Sequence, residues 1–458
     1  MGTYLNRTPS SAGNEKTWTV SLWVKRASIT STSAQFLFAS DTNYSDYVYC
    51  RFCGTESTGK EDELQVVLAE PNGRTANVTT NRKFRDPSSW YHIVVRCDTT
   101  QSTSTDRLRV YVNGSQETSL RDNSQLNQND DNMNWNSNVP QVIGAQLSSG
   151  TSERFQNGYI TNFVNIDGQS LAPTSFGETD STTGEWKPKV NLSGLTFGTN
   201  GFWQKYESAG NLGIDSSGNS NTYTVNNAGT NAKTIDTASN NFCTMNPLAN
   251  KYPNSTFTLG NLAVAMGSSQ ATFNTGTFGV SSGKWYFEMK PTALGSGTDN
   301  CLVGIVSRSD STGTSDYLGE PTSVVYRNNG NYKKDSGNAT YGASWNTSDI
   351  VMVAVDCDNN NIYFGTNNQW ADGSGNNDES SPTSAITFTS TMISDGIVFP
   401  TFGDLSTNSP EPAGQFNFGN PPFTISSGNA DANGLGNFEY APPSGYYALC
   451  TKNINSYG

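Results

Sequence analysis

Residues 349–368 read DIVMVAVDCDNNNIYFGTNN. Val351, Val353, Val355 and Cys357 alternate with Ile350, Met352, Ala354 and Asp356, which is the period of a β-strand. The run halts at Asp358, Asn359, Asn360 and Asn361 and resumes at Ile362, Tyr363 and Phe364. Asp and Asn tolerate left-handed backbone, so the stretch predicts a tight β-hairpin. Much earlier, residues 90–114 read WYHIVVRCDTTQSTSTDRLRVYVNG. There Tyr91, Ile93, Val95 and Cys97 share one face, and Leu108, Val110 and Val112 share one face of a return strand. Two central hairpins so far apart predict two separate β-sandwiches. The loops differ, DNNN against DTTQSTSTD, which predicts different modules and not copies of one.

Outward from these hairpins, residues 17–27 (TWTVSLWVKRA) set Trp18, Val20, Leu22 and Val24 against Thr19, Ser21 and Trp23, a strand with one buried face. Further strands are expected at 35–39, 47–52, 63–69, 75–80, 139–143 and 158–165, and in the second half at 261–266, 282–291, 301–307, 323–326, 397–402 and 415–418. Short strands between Gly, Asn and Asp turns predict an all-β chain of two antiparallel β-sandwich, jelly-roll domains. The expected boundaries are 1–206 for the first domain, 207–245 for a loop-rich linker, 246–420 for the second domain and 421–458 for an extended C-terminal segment. Pro421, Pro422, Pro442 and Pro443 keep that last segment out of a sheet centre. No stretch carries the three-and-four apolar spacing of a helix.

Of 458 residues only 15% are charged, while 11% are aromatic, which excludes a disordered composition. The net charge of −13 lacks the basic footprint that nucleic acid requires. No apolar run reaches the ~20 residues of a membrane-spanning helix, so no membrane insertion is expected. The N-terminus MGTYLNRTPSSAGNEK has no secretory pattern. Seven cysteines without regular spacing make a poor disulfide framework, and Cys50 and Cys53 form a lone C-x-x-C inside a strand-like run, a structural pair.

Three sets of phrases carry a resemblance. WTVSLWVKR (18–26), FRDPSSWYHIVVRCDTT (84–100) and RVYVNGSQ (109–116) resemble laminin-G-like, concanavalin-A-like jelly rolls. SGKWYFEM (282–289), VGIVS (303–307) and the 349–370 hairpin resemble a SPRY domain. The phrases at 166–189, 212–225 and 418–453 look like those of tandem proteins encoded by tailed phages of marine bacteria. The resemblance implies a virion structural protein made in the host cytoplasm: a tail fibre or exposed appendage recognising a host-surface glycan or receptor, or else a capsid or head fibre or decoration protein. It implies other virion proteins as partners and, as fibres are usually built, a homo-oligomer, with a trimer as the guess. Many relatives carry sequence before the jelly roll, whereas the alternating strand here begins near residue 17.

Concanavalin-A-like folds also host glycanases, which need paired carboxylates. Contiguous Glu61, Asp62 and Glu63 split between strand faces, Glu178 and Asp180 are followed by Glu185 too late, and Glu288 stands alone between Phe287 and Met289. His92 is the sole histidine and sits mid-strand, so no catalytic residue is expected and the chain reads as a non-enzyme. No cofactor is called, with calcium kept open. Laminin-G-like domains often hold Ca²⁺ at a loop rim, and Asn129, Asp130, Asp131 and Asn132 form the densest oxygen-rich group, which makes Asp130 and Asp131 the calcium candidates. Trp135 and Trp370 are the candidate sugar platforms, set against the alternative that each is packed in the core.

Overall fold

Val351–Asp356 pairs antiparallel with Asn361–Thr366, Val351 opposite Thr366 and Asp356 opposite Asn361, in the computed structural model. Asn360 takes a φ of 55° in the turn, the left-handed conformation that its residue type permits. The structure describes residues 2–43, 46–70, 73, 75–131, 134–148, 151–229, 232–250, 255–267, 272–296, 301–307, 318, 322–389, 396–405 and 410–458. The fold is all-β and divides into two units, residues 1–233 with 237–239, and residues 234–236 with 240–458. Apart from one short parallel pairing, the described strands pair antiparallel.

In the first unit an eight-stranded sheet runs in the order Leu120–Ser124, Thr75–Lys83, Glu63–Ala69, Asp46–Phe52, Gln35–Asn43, Gln141–Ile143, Tyr4–Arg7, Thr224–Asn226. A six-stranded sheet faces it, ordered Phe202–Gln204, Gly158–Asp167, Thr17–Arg26, Trp90–Asp98, Leu108–Val112, Ser115–Gln116. The inward parity of each strand fills the space between them: Trp18, Val20, Leu22 and Val24 meet Phe38, Cys50, Phe52 and Val66. The expectation of one buried face on 17–27 needs correction, because the outward side is covered too. Phe176, Leu192 and Phe197 pack onto Val94, Val164, Ile166 and Trp203, and Trp186 reaches Trp23.

The expected linker over 207–245 is also corrected. Tyr223 is 1% exposed against Phe202, and Thr224–Asn226 pairs with Tyr4–Arg7, so residues to 233 belong to the first unit. Tyr4–Arg7 is likewise a strand that precedes the first alternating run. Tyr4, Asn6 and Arg7 are only half-buried, so no apolar alternation announces it.

The second unit sets a seven-stranded sheet (Met245–Asn250, Thr272–Gly276, Val398–Asp404, Cys301–Ser307, Ser323–Arg327, Asn331–Lys334, Gly337–Thr340) against one of ten strands built around Lys284–Leu294, Val351–Asp356 and Asn361–Thr366. Trp285, Phe287, Met289, Val351, Val353 and Val355 point into the core between them. Tyr286, Met352 and Ala354, on the opposite parity, are covered by Phe438, Tyr446 and Ala448. The segment 421–458, expected as an extension, is therefore part of this unit. Its Tyr447–Ala448 pairs in parallel with Lys284–Leu294, and it ends in the helix Thr451–Tyr457. That helix has no apolar periodicity of its own. Asn453 anchors it by donating to Asp431 and to the Ala448 carbonyl.

Candidate functional site

Loops at the strand ends of the first unit build a polar recess. Asp167, at the end of Gly158–Asp167, accepts from the backbone N–H of Asn14 at 2.6 Å and of Asn200 at 2.8 Å. Asn200 donates to the Ser11 and Asn136 carbonyls, and Asn165 donates to Asn136 Oδ1 and to the Asn200 carbonyl. Asn136, Asn165, Asn200 and Asp167 are 0%, 0%, 2% and 5% exposed, so this network is a fixed floor rather than a solvated turn. Above it residues 12–16, Asp131, Asp167, Gly168, Gly198 and Thr199 line an open recess of about 700 Å³. At its mouth Lys16 Nζ lies 3.2 Å from Asp131 Oδ2, with side chains 38% and 55% exposed. Carboxylate, ammonium and backbone groups here present both donors and acceptors, which suits a ligand rich in hydroxyls.

The predicted residues fall unevenly around this place. Asp131 lines the recess. Asp130 is turned to its own loop, where Oδ2 accepts from the Asn127 N–H at 2.6 Å and its carbonyl accepts from Thr99 Oγ1. The two candidate calcium ligands thus serve different partners, and Asn132 of the same group lies outside the described residues. Among the described residues no three His, Cys, Asp or Glu converge to hold a metal.

Both tryptophan platforms are corrected. Trp135 is 0% exposed, tilted against Trp18 and Phe38, with Nε1 donating to Asn165 Oδ1 at 3.0 Å. Trp370 is 5% exposed and edge-on to Tyr286. A sugar platform needs a free ring face, and neither residue has one. Trp135 instead holds the recess floor in place through Asn165.

Of the carboxylates weighed for hydrolysis, Glu178 and Glu185 lie exposed around a surface turn and the others are committed elsewhere. Asp62 is buried against Arg26 at 3.0 Å and Arg85 at 2.7 Å. Glu63 accepts from Nε and Nη2 of Arg121, at 2.7 and 2.6 Å, and Glu61 accepts from the Gly59 N–H. Asp180 caps the Thr182 and Thr183 amides of a surface turn and meets Lys187 at 2.6 Å, contacts that hold its carboxyl well below the usual range. Glu288 is fully buried beneath the C-terminal segment, and burial pushes its carboxyl up to about 7.

His92 forms a Ser–His contact that fails as a catalytic pair. Nε2 lies 2.8 Å from Ser21 Oγ, and Trp186 Nε1 donates to Nδ1 at 2.9 Å. An indole nitrogen is only a donor, so Nδ1 is the bare nitrogen and the proton sits on Nε2, pointing at the serine. A histidine in that tautomer cannot take the Ser21 proton. The ring is 0% exposed and stacked on Trp23 with centroids 4.6 Å apart, and burial lowers its pKa to about 3. Replacing Trp186 with Phe is expected to cost about 1–2 kcal/mol by leaving Nδ1 without a donor. A urea titration of the purified variant measures it, and an unchanged midpoint would mean that the indole bond is not stabilising.

The floor residues Asn14, Asn136, Asn165, Asp167 and Asn200 were not singled out by sequence. One signal was present: in YITNFVNID (159–167) Asn165 and Asp167 share the inward parity of Phe163, and an amide on a core face demands buried partners.

Residues 2–171 match the concanavalin A-like lectin/glucanases superfamily, and residues 284–420 match the SPRY domain. Both domains are of a binding or recognition type. Among solved structures the chain is similar to the SPRY domain of human HERC1, at 18% identity over 38% of this chain and 96% of that one, with a TM-score of 0.30. It is also similar to the native heptameric SAP-like pentraxin from Limulus polyphemus, at 15% identity over 37% and 71% of the two chains and a TM-score of 0.26. Stonustoxin is similar at 15% identity over 38% of this chain and 27% of that one, with a TM-score of 0.28. No curated protein matches the chain.

Proposed function

We propose that this chain, a lectin-like sandwich followed by a SPRY sandwich, is a non-enzymatic virion protein of a tailed phage that recognises a glycan on the host surface. The observation that carries the reading is the pairing of two recognition-type domains on one chain. The polar recess of the first unit supports it, since its donors and acceptors suit a hydroxylated ligand and its floor is held rigid by buried amides. The committed carboxylates and the proton position on His92 favour binding over hydrolysis. A shallow polar site gives low affinity per copy, and a homo-oligomer, with a trimer as the expected state, would multiply it by avidity.

Immunogold labelling of intact particles, together with an adsorption-blocking assay using the purified full-length chain, tests this. A label on tail appendages and blocked adsorption are expected, with blocking weakened about tenfold by Asp131→Ala, the loss of one charge-assisted contact. Label confined to the head shell without blocking would replace recognition with a decoration role. Release of reducing sugar that Glu178→Gln or Glu288→Gln abolishes would make the chain a glycanase.

A further inference from the structure

Glu288 points away from the core of the second unit and is 0% exposed. Four donors converge on it. Tyr286 Oη lies at 3.0 Å and the Tyr440 N–H at 2.7 Å from Oε1, while Asn417 Nδ2 and the Glu439 N–H each lie at 3.0 Å from Oε2. Two of the four belong to the backbone of the C-terminal segment, so the carboxyl is one tie of that segment to the sheet, beside the Asn437 N–H bond to the Gly419 carbonyl and the Tyr447–Ala448 pairing. Met352 stands opposite Glu288 on the next strand and brings no charge.

The charged and titratable groups around it are turned elsewhere. Glu439 accepts from Ser426, Lys290 lies over the Phe423 ring at 5.8 Å, and Lys284 pairs with Asp356 at 2.8 Å. Tyr440 Oη is 3.5 Å from Asn367. The four donors themselves carry no formal charge, so an ionised Glu288 is neutralised by none of its direct partners. A carboxylate in that position loses its hydration for hydrogen bonds alone, whereas a lifted segment returns it to water.

We propose that Glu288 is a proton-operated latch: its neutral carboxyl holds residues 437–440 down on the sheet, and its ionisation loosens them as the pH rises. Tyr286 makes the neutral state workable, because its hydroxyl is the one partner able to turn from donor to acceptor and receive the carboxyl proton. The other three donors serve either state. Burial raises the carboxyl to about 7, against 4.5 for a solvated glutamate, and outweighs the four hydrogen bonds, which by themselves favour the ionised form. The latch is therefore fully engaged below about pH 4.5 and is lost as the pH climbs through about 7. Opening bares Tyr286, Met352 and Trp370, an apolar face otherwise covered by Phe438 and Tyr446.

Amide hydrogen exchange at Glu439 and Tyr440 in the full-length chain tests the latch, with rates normalised for intrinsic base catalysis. Protection is expected to fall roughly 50–100-fold between pH 5 and pH 8 in the wild type and to stay level in Glu288→Gln. A level profile in the wild type, or an equal fall in the variant, overturns the proposal. If the variant does not fold, the ¹³C shift of the wild-type Glu288 carboxyl decides. A midpoint near neutrality supports the latch, and one near the ordinary glutamate value removes it.

Discussion

Asp62→Asn is expected to destabilise the first unit by about 3–5 kcal/mol, the cost of stranding a buried charge. Arg26 and Asp62 have side chains 1% and 0% exposed and meet at 3.0 Å, tying Thr17–Arg26 of the six-stranded sheet to the chain entering Glu63–Ala69 of the eight-stranded one. Burial works against the Asp62 carboxylate, yet the Arg85 bond, the Thr30 N–H and the Arg26 charge together keep its pKa below the ordinary value. Asparagine preserves the shape and suits the φ of 65° at this position, so the substitution removes charge without adding backbone strain. A fall of about 10 °C in the calorimetric midpoint of the first unit is the expected reading. Adding Arg26→Met to Asp62→Asn should recover much of the loss, because an apolar side chain needs no counter-charge. A loss below about 1 kcal/mol for Asp62→Asn would show that solvent reaches the pair.

Acid should weaken the same unit through His92. Its folded pKa, lowered by burial to about 3, lies below the 6.5 of a free imidazole. The stability it confers is fully present above about pH 6.5 and is lost as the pH falls towards 3. Linkage over that span amounts to roughly 4–5 kcal/mol, of which about 2 kcal/mol falls between pH 7 and pH 5, above the range where most carboxylates titrate. Urea midpoints at the two pH values measure it. His92→Gln, which can still accept from Trp186 and donate to Ser21, should show little change over the same interval. A wild-type midpoint that does not move would mean that the Trp23–His92–Trp186 stack opens at no cost. Glu288 has the opposite sign, so acidification loosens the first unit while it tightens the second.

The sequence made the sheets legible wherever one strand face is apolar. The parities of Trp90–Asp98, Leu108–Val112 and Val351–Asp356 are those of the core. It was silent where partners supply the order. Tyr4–Arg7 and Thr224–Asn226 are short, half-polar strands ordered by pairing, the first on Gln141–Ile143 and the second on the first. Trp135 and Trp370 show the limit of reading a ring among asparagines as a platform, since Asn134 and Asn136 are buried along with Trp135, and Trp370 lies in the strand Gln369–Ala371. The recess was half legible. Asp131 stood out by charge density, whereas Asp167 and Asn200 meet only through folding, thirty-three residues apart.

The edge pairing of Tyr4–Arg7 with Thr224–Asn226 also has a mechanical meaning. Tyr4 lies opposite Asn226, and Thr3 Oγ1 donates to the Asn227 carbonyl, so residues 3 and 227 sit side by side at one end of an antiparallel pair. Tension applied between those two points peels the ladder one rung at a time instead of shearing all its rungs together. Loaded at residues 3 and 227, this pair is a zip fastener with its slider at that end.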